Sequence, residues 1–140
     1  EGGAGSDSID IMGSATISDT IAVAPDGVRL AIKRTAPTTD TLDIGTVEQV
    51  QVKTGGADDM ISVVPLSGTT ISVDGGPHNT GDTLAFDRQG LPATPPAPQP
   101  PSGTISVPGR GLVSYTQIEK ILIASSPPPR FDILLPLVRR

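Results

Sequence analysis

The chain has 140 residues, a formal net charge of −5 and an isoelectric point of about 4.6, so it lacks the basic surface that nucleic acid binding requires. It contains no cysteine, which excludes disulfide bonds and thiolate metal sites, and no apolar run of about 18 residues, so we predict no membrane insertion. Glycine (16 residues) and proline (15 residues) are abundant and aromatic residues are few, so any core must be built from small aliphatic side chains.

The first motif is the glycine-rich segment Gly2–Asp10, which matches the nonapeptide GGxGxDxUx, with U an aliphatic residue, at every defined position. Related segments occur at Gly55–Ile61, one residue shorter, and at Gly75–Leu84, with an insertion. Glycine and aspartate are typical of tight turns, and an aliphatic residue follows each aspartate. The pattern therefore predicts turns that each lead into a strand.

Strand patterns dominate the rest of the chain. The segment Ala24–Gly27 (APDG) predicts a tight turn between two strands, because proline presets φ and glycine allows positive φ. No segment has a convincing 3.6-residue period, although Tyr115–Leu122 is expected to form a helical turn. A phrase of Asp, any residue, aliphatic, any residue, apolar recurs at Asp7–Ile11, Asp19–Val23, Asp40–Ile44, Asp59–Val63 and Asp82–Phe86. We predict an all-β fold, either an irregular β-solenoid or a β-sandwich-like pair of sheets.

A longer repeat divides this all-β body, residues 1–126. Thr46–Val52 and Gln117–Ile123 share the order aliphatic, Glu, Gln or Lys, aliphatic. We predict two related halves, about 12–74 and 75–123, with a proline-rich loop, 91–101, inserted in the second half. Proline has no N–H for a sheet ladder, so this loop is expected to be an exposed, extended spacer.

The C-terminal segment, 127–140, is predicted to be a proline hinge followed by an apolar strand. This strand has two alternative fates: it folds back onto its own sheet, or it adds to the sheet edge of a neighbouring molecule. The second alternative produces a polymer. The candidate partner-binding residues are Phe131, Ile133, Leu134, Leu135, Leu137 and Val138.

Together these motifs resemble the repeats-in-toxin proteins and the large bacterial surface proteins and adhesins that carry such repeats. Asp19–Asp87 is similar to the degenerate modules that flank nonapeptide arrays in those proteins. The resemblance implies an extracellular or cell-surface structural module with calcium as its cofactor, and with Asp7, Asp59 and Asp82 as metal ligands. A β-roll calcium site takes ligands from two successive turns, whereas the motifs here are isolated. The alternative is that glycine and aspartate only form turns before strands.

Catalytic motifs are absent from the sequence, and we predict that the chain is not an enzyme. His78 is the single histidine, in a Gly-Pro-rich loop where a solvated side chain is expected, and no GxSxG, P-loop or zinc-ligand spacing occurs. Asp58 and Asp59 are adjacent in a turn, where neighbouring side chains normally diverge.

The sequence therefore predicts a structural role as a self-associating filament or adhesin subunit that uses strand addition. Its partners are copies of itself or neighbouring modules. The alternative is a carbohydrate- or host-surface-binding module beside an unseen catalytic domain. The scarcity of tyrosine and tryptophan argues against that alternative.

Overall fold

The computed structural model describes residues 2–124, and this part of the chain is all-β, as predicted, without a helix that could span a membrane. The prediction of a helical turn at Tyr115–Leu122 is wrong, because two strands occupy this segment and Gln117, with φ of 53°, turns the chain between them. The strands are β1 (Ser8–Met12), β2 (Thr20–Asp26), β3 (Arg29–Ala36), β4 (Asp40–Ile44), β5 (Gln49–Lys53), β6 (Met60–Val63), β7 (Thr70–Asp74), β8 (Thr83–Asp87), β9 (Gly103–Ile105), β10 (Val113–Thr116) and β11 (Lys120–Ala124).

The strands form two mixed sheets, and the chain passes alternately from one to the other. The five-stranded sheet has the order β1-β5-β7-β10-β9, and the six-stranded sheet has the order β11-β8-β6-β2-β3-β4. Strands β1, β5, β7 and β10 are parallel, as are β2, β6, β8 and β11. Antiparallel strands extend each sheet at one edge: β9 beyond β10, and the β3–β4 pair beyond β2. A tight turn joins β2 to β3, but the predicted position at Ala24–Gly27 is wrong by two residues: β2 continues to Asp26, which pairs with Arg29, and Gly27, with φ of 63°, and Val28 form the turn.

Parallel pairing aligns the aliphatic residues of successive strands in columns, because residues in register point to the same face. The buried members of these columns form one hydrophobic core shared by both sheets. One column of the five-stranded sheet contains Ile11, Val52, Val73 and Tyr115, and one column of the six-stranded sheet contains Val23, Val63, Phe86 and Ile123.

The proline-rich loop is attached to the body more closely than its sequence predicts. Thr94 and Ser106 exchange two backbone hydrogen bonds of 2.8 Å, and Ala93 is buried. The Tyr115 hydroxyl donates to the Gln99 carbonyl oxygen at 2.9 Å, and this ring packs where β9 begins with Gly103. The loop remains mostly exposed, but an aromatic side chain and a short ladder hold it to the core.

The two segments that define the predicted halves share a local conformation. Thr46 and Gln117 both have positive φ, 52° and 53°, immediately before the aliphatic-Glu pair. They precede β5 of the five-stranded sheet and β11 of the six-stranded sheet, so the equivalent turns serve opposite sheets. The division into halves remains a prediction, and the predicted C-terminal strand, residues 127–140, lies outside the described residues.

We expect Phe86→Ala to destabilise the fold by about 3–5 kcal/mol, because it leaves a cavity in a fully buried column. Val28→Ala is the control: Val28 is 93% exposed, and its truncation should change the free energy of unfolding by less than about 0.5 kcal/mol. Urea unfolding followed by circular dichroism measures both. Equal losses in the two variants would contradict the assignment of the core.

Candidate functional site

Each of the four parallel strands of the six-stranded sheet is immediately preceded by one acidic residue. We call this set, Asp19, Asp59, Asp82 and Glu119, the acidic ladder. The amide of each member donates to a carboxylate oxygen of the next: Asp19 to Asp59 Oδ1 at 2.6 Å, Asp59 to Asp82 Oδ1 at 2.7 Å, and Asp82 to Glu119 Oε2 at 2.8 Å. Charge-assisted bonds of this length are stronger than bonds between neutral groups, so the ladder fixes the register of four strands where they begin.

The three aspartates of the ladder are buried, which makes their charges costly. Burial raises the pKa of Asp82 to about 6, and the neighbouring charges of Asp59 and Glu119 add to this effect. Burial also raises the pKa of Asp59, and the charge of Asp19 contributes in the same direction. Like charges therefore lie close together in the ladder, and amide donors compensate for only part of their burial.

Basic side chains approach the ladder at both of its ends. At the N-terminal end, Arg34 Nε lies 3.3 Å from Asp19 Oδ1, and the Arg34 guanidinium also donates to the carbonyl oxygen of Met12. At the C-terminal end, His78 Nδ1 lies 3.7 Å from Asp82 Oδ2 and 3.3 Å from Glu119 Oε2. The structure thus gives His78 acidic neighbours, although its sequence context predicts an ordinary solvated loop residue.

The two glutamates that recur in the sequence form equivalent reciprocal contacts, which we call clamps. In the first clamp, the Asp7 amide donates to Glu48 Oε2 at 2.7 Å, and the Glu48 amide donates to the Asp7 carbonyl oxygen at 3.2 Å. In the second clamp, Asp82 and Glu119 repeat both bonds, at 2.8 Å and 3.1 Å. The longer glutamate side chain reaches back from a short turn to the preceding aspartate. The sequence repeat of these glutamates was visible, but their role was not.

Glycine is required where the turns that carry the aspartates approach other backbone. A Cβ on Gly13 would lie 2.1 Å from the Thr54 carbonyl oxygen and 2.5 Å from Asp19 Oδ2. A Cβ on Gly75 would lie 2.2 Å from the Gln117 carbonyl oxygen. These glycines allow successive turns to pack closely enough for the carboxylates to reach the amides.

Asp58 and Asp59 diverge, as the sequence predicts for neighbours in a turn. Asp59 belongs to the ladder, whereas Asp58 Oδ1 accepts hydrogen bonds from three consecutive amides, Asn79 at 2.8 Å, Thr80 at 2.7 Å and Gly81 at 3.1 Å. The Thr80 hydroxyl also donates to Asp58, and these bonds hold the pKa of Asp58 well below its usual range. Asp58 therefore fixes the loop that carries His78.

The three aspartates predicted as calcium ligands are divided between the two sheets. Asp7 precedes β1 and accepts the Gly3 amide on Oδ2 at 2.7 Å, whereas Asp59 and Asp82 are neighbours in the ladder. Calcium takes 6–8 oxygen ligands. Because Asp7 belongs to the other sheet, the three are not brought together as one calcium site, and calcium binding remains a prediction.

No protein-family model, curated protein or solved structure matches this chain.

We expect Gly13→Ala to destabilise the fold by about 1–3 kcal/mol, because the added methyl group forces the backbone apart at the first turn of the ladder. Gly3→Ala is the matched control, since a Cβ on Gly3 meets no atom within 4 Å. Thermal unfolding of both variants measures the difference. Equal stabilities would show that close packing of this turn is not required.

The raised pKa of Asp82 predicts a pH-dependent contribution to stability. The folded state holds this proton to a higher pH than the unfolded chain, in which the pKa is about 3.9. The contribution is therefore fully present below about pH 3.9 and is lost as the pH rises through about 6. We expect the stability advantage of the native chain over Asp82→Asn to shrink between about pH 4 and about pH 7.

Urea unfolding with a chelator present measures this dependence, and Asp26→Asn, at an exposed turn, is the control. An advantage over Asp82→Asn that grows as the pH rises would contradict the direction of the pKa shift.

Proposed function

We propose that this chain is a non-catalytic, extracellular structural module, built as an irregular β-solenoid, that associates with further copies of itself by strand addition. Support comes first from the path of the chain, which alternates between two sheets whose central strands are parallel. Repeated units of this kind bury their apolar faces on their neighbours, and terminal units need a cap. The exposure of apolar residues at the two ends of the stack therefore indicates whether further units pack there.

The observation that carries the proposal is the burial along the core columns. Between the ends, the column residues are at most 2% exposed. At the ends, the inward-facing isoleucines are only partly buried: Ile9 and Ile11 in β1, and Ile121 and Ile123 in β11. The columns thus continue to both edges with apolar surface still accessible, which favours a further layer of protein at each end.

The N-terminal end presents a defined place for such a layer. Strands β3 and β4 extend the six-stranded sheet beyond β2, whereas the five-stranded sheet ends at β1. Beside β1 this difference leaves a groove of about 370 Å³, which we call the shelf, lined in part by Ile11, Ile32 and Leu42. Leu42 pairs with the buried Ile32 and faces the same side, yet Leu42 is 45% exposed. An apolar strand that pairs with β1 would cover this surface.

The occupant that we propose is the apolar segment Phe131–Val138 of another copy. The five-stranded sheet has one strand fewer than the six-stranded sheet. Suppose that copies stack end to end, with β11 of one copy against β4 of the next. The five-stranded sheets then leave one empty strand position between β9 of the first copy and β1 of the second, and a single added strand fills it. Such a contact is heterologous and does not close on itself, so repetition produces a filament.

The alternative role in carbohydrate or host-surface binding has less support in the described residues. Sugar recognition commonly uses exposed aromatic faces, but Phe86 is 0% exposed and Tyr115 is 2% exposed. Within residues 2–124 both aromatic side chains therefore serve the core. Glycan binding by the isolated chain would favour the alternative.

Sedimentation velocity and negative-stain microscopy of the full chain test the proposal. We expect concentration-dependent oligomers or filaments, and we expect Leu42→Lys to reduce association at least about tenfold, because a charge in the shelf must be desolvated. Ile17→Lys is the matched control: Ile17 is a 55% exposed loop residue, and its substitution should leave association intact.

Removing residues 130–140 distinguishes the versions of the proposal. A truncated chain that still folds and no longer associates supports the C-terminal strand as the occupant. A truncated chain that forms the same filaments would show that the sheet edges associate without it. A native chain that stays monomeric at all concentrations would refute self-association.

A further inference from the structure

Three side chains with metal-binding atoms converge at the C-terminal end of the acidic ladder. His78 Nδ1 lies 3.3 Å from Glu119 Oε2 and 3.7 Å from Asp82 Oδ2, and the three ligand atoms all lie within 4.8 Å of one another. Zinc binds nitrogen and carboxylate oxygen at about 2.0–2.2 Å, which separates the ligands of a tetrahedral site by roughly 3.4 Å. The observed spacing therefore fits a single ion between the three atoms.

The first clamp shows how the same arrangement is completed without histidine. Gly3 lies four residues before Asp7, and its amide donates to Asp7 Oδ2 at 2.7 Å. His78 lies four residues before Asp82 and presents an imidazole nitrogen in place of that amide.

Asp82 itself provides an independent sign of a missing ligand. Its side chain is 0% exposed, and its Oδ2 atom has no hydrogen-bond donor in the described part of the chain. This oxygen lies 3.7 Å from His78 Nδ1, and a carboxylate oxygen of Asp82 lies within 4.8 Å of one of Glu119. A buried carboxylate oxygen without a donor is costly unless a cation satisfies it.

The cluster is both held in place and open to solution. Asp58 fixes the amides of Asn79, Thr80 and Gly81, which follow His78 directly. The side chains of His78 and Glu119 are each 30% exposed, so solvent reaches two of the three ligands. The Nδ1 atom also lies 3.3 Å from the Gly76 carbonyl oxygen, a contact that a bound ion would replace.

We propose that His78 Nδ1, Asp82 Oδ2 and Glu119 Oε2 bind a divalent transition-metal ion of the zinc type. The two carboxylates balance the charge of the ion, and the imidazole nitrogen favours zinc over calcium, which prefers oxygen. Glu119 Oε2 keeps its hydrogen bond from the Asp82 amide, because a carboxylate oxygen has two lone pairs. The ion links the loop before β8 to the turn before β11, so it stabilises the last described strand of the six-stranded sheet.

Proton NMR of the untagged, metal-free full chain provides a direct test, because His78 is the single histidine. We expect added zinc chloride to shift the His78 ring resonances until one equivalent is bound, and calcium chloride to leave them unchanged. Isothermal titration calorimetry should then show zinc affinity lowered by more than about tenfold in His78→Gln and Glu119→Gln.

Glu48→Gln is the matched control, because it removes the same type of carboxylate acceptor from the first clamp, which has no histidine. His78→Gln alters a loop side chain and separates ligand loss from any loss of folding in Glu119→Gln. Equal zinc affinity in Glu119→Gln and Glu48→Gln, or His78 resonances that do not respond to saturating zinc, would overturn the proposal. Zinc binding of native strength in His78→Gln would overturn it as well.

Discussion

The hydrogen bond from a backbone amide to the carboxylate of the next parallel strand is the contact on which this structure depends. Within the ladder it is repeated from Asp19 to Glu119, and the first clamp provides an equivalent bond in the other sheet. Parallel strands cannot be joined by two-residue hairpins, so their register needs another determinant. Here the determinant is a carboxylate before each parallel strand of the six-stranded sheet, and the aliphatic columns of that sheet align because the starts of its strands are aligned.

The same contact accumulates negative charge in a dry region, and the fold limits this cost in different ways along the ladder. Asp19 has an arginine contributed by the inserted β3–β4 pair, and the amides neutralise part of the charge in the middle. Asp82 keeps one oxygen that, within residues 2–124, His78 alone approaches as a basic group. The hairpin insertion is therefore also electrostatic support for the first member of the ladder, beyond its role in extending a sheet.

Much of the fold was accessible from the sequence, because alternation and turn chemistry are local signals. The strands that follow Asp19, Asp59 and Asp82 are all present, and a tight turn follows the first of them, although it lies at Gly27 and Val28 and not at the proline. The partition of the strands between two sheets could not be predicted, since it depends on which turns pack against each other.

The expected helical turn at Tyr115 failed for a related reason: its apolar spacing belongs to two strands that are separated by a short turn containing a residue with positive φ. The acidic cluster around His78 joins Asp82 and Glu119, which lie 37 positions apart, so no local signal in the sequence predicted it.

The two kinds of connection between the sheets differ in their freedom to change. Connections from the five-stranded to the six-stranded sheet carry the ladder and its crowded glycines, and they are short. Both large insertions, the β3–β4 pair and the proline-rich loop with β9, lie in connections that return to the five-stranded sheet. The remaining return connection contains Gly68, which is exposed and uncrowded. The connections that carry the ladder are thus constrained, whereas the return connections tolerate insertions. We therefore expect new segments, whether evolved or grafted, to be accommodated in the return connections without disturbing strand register.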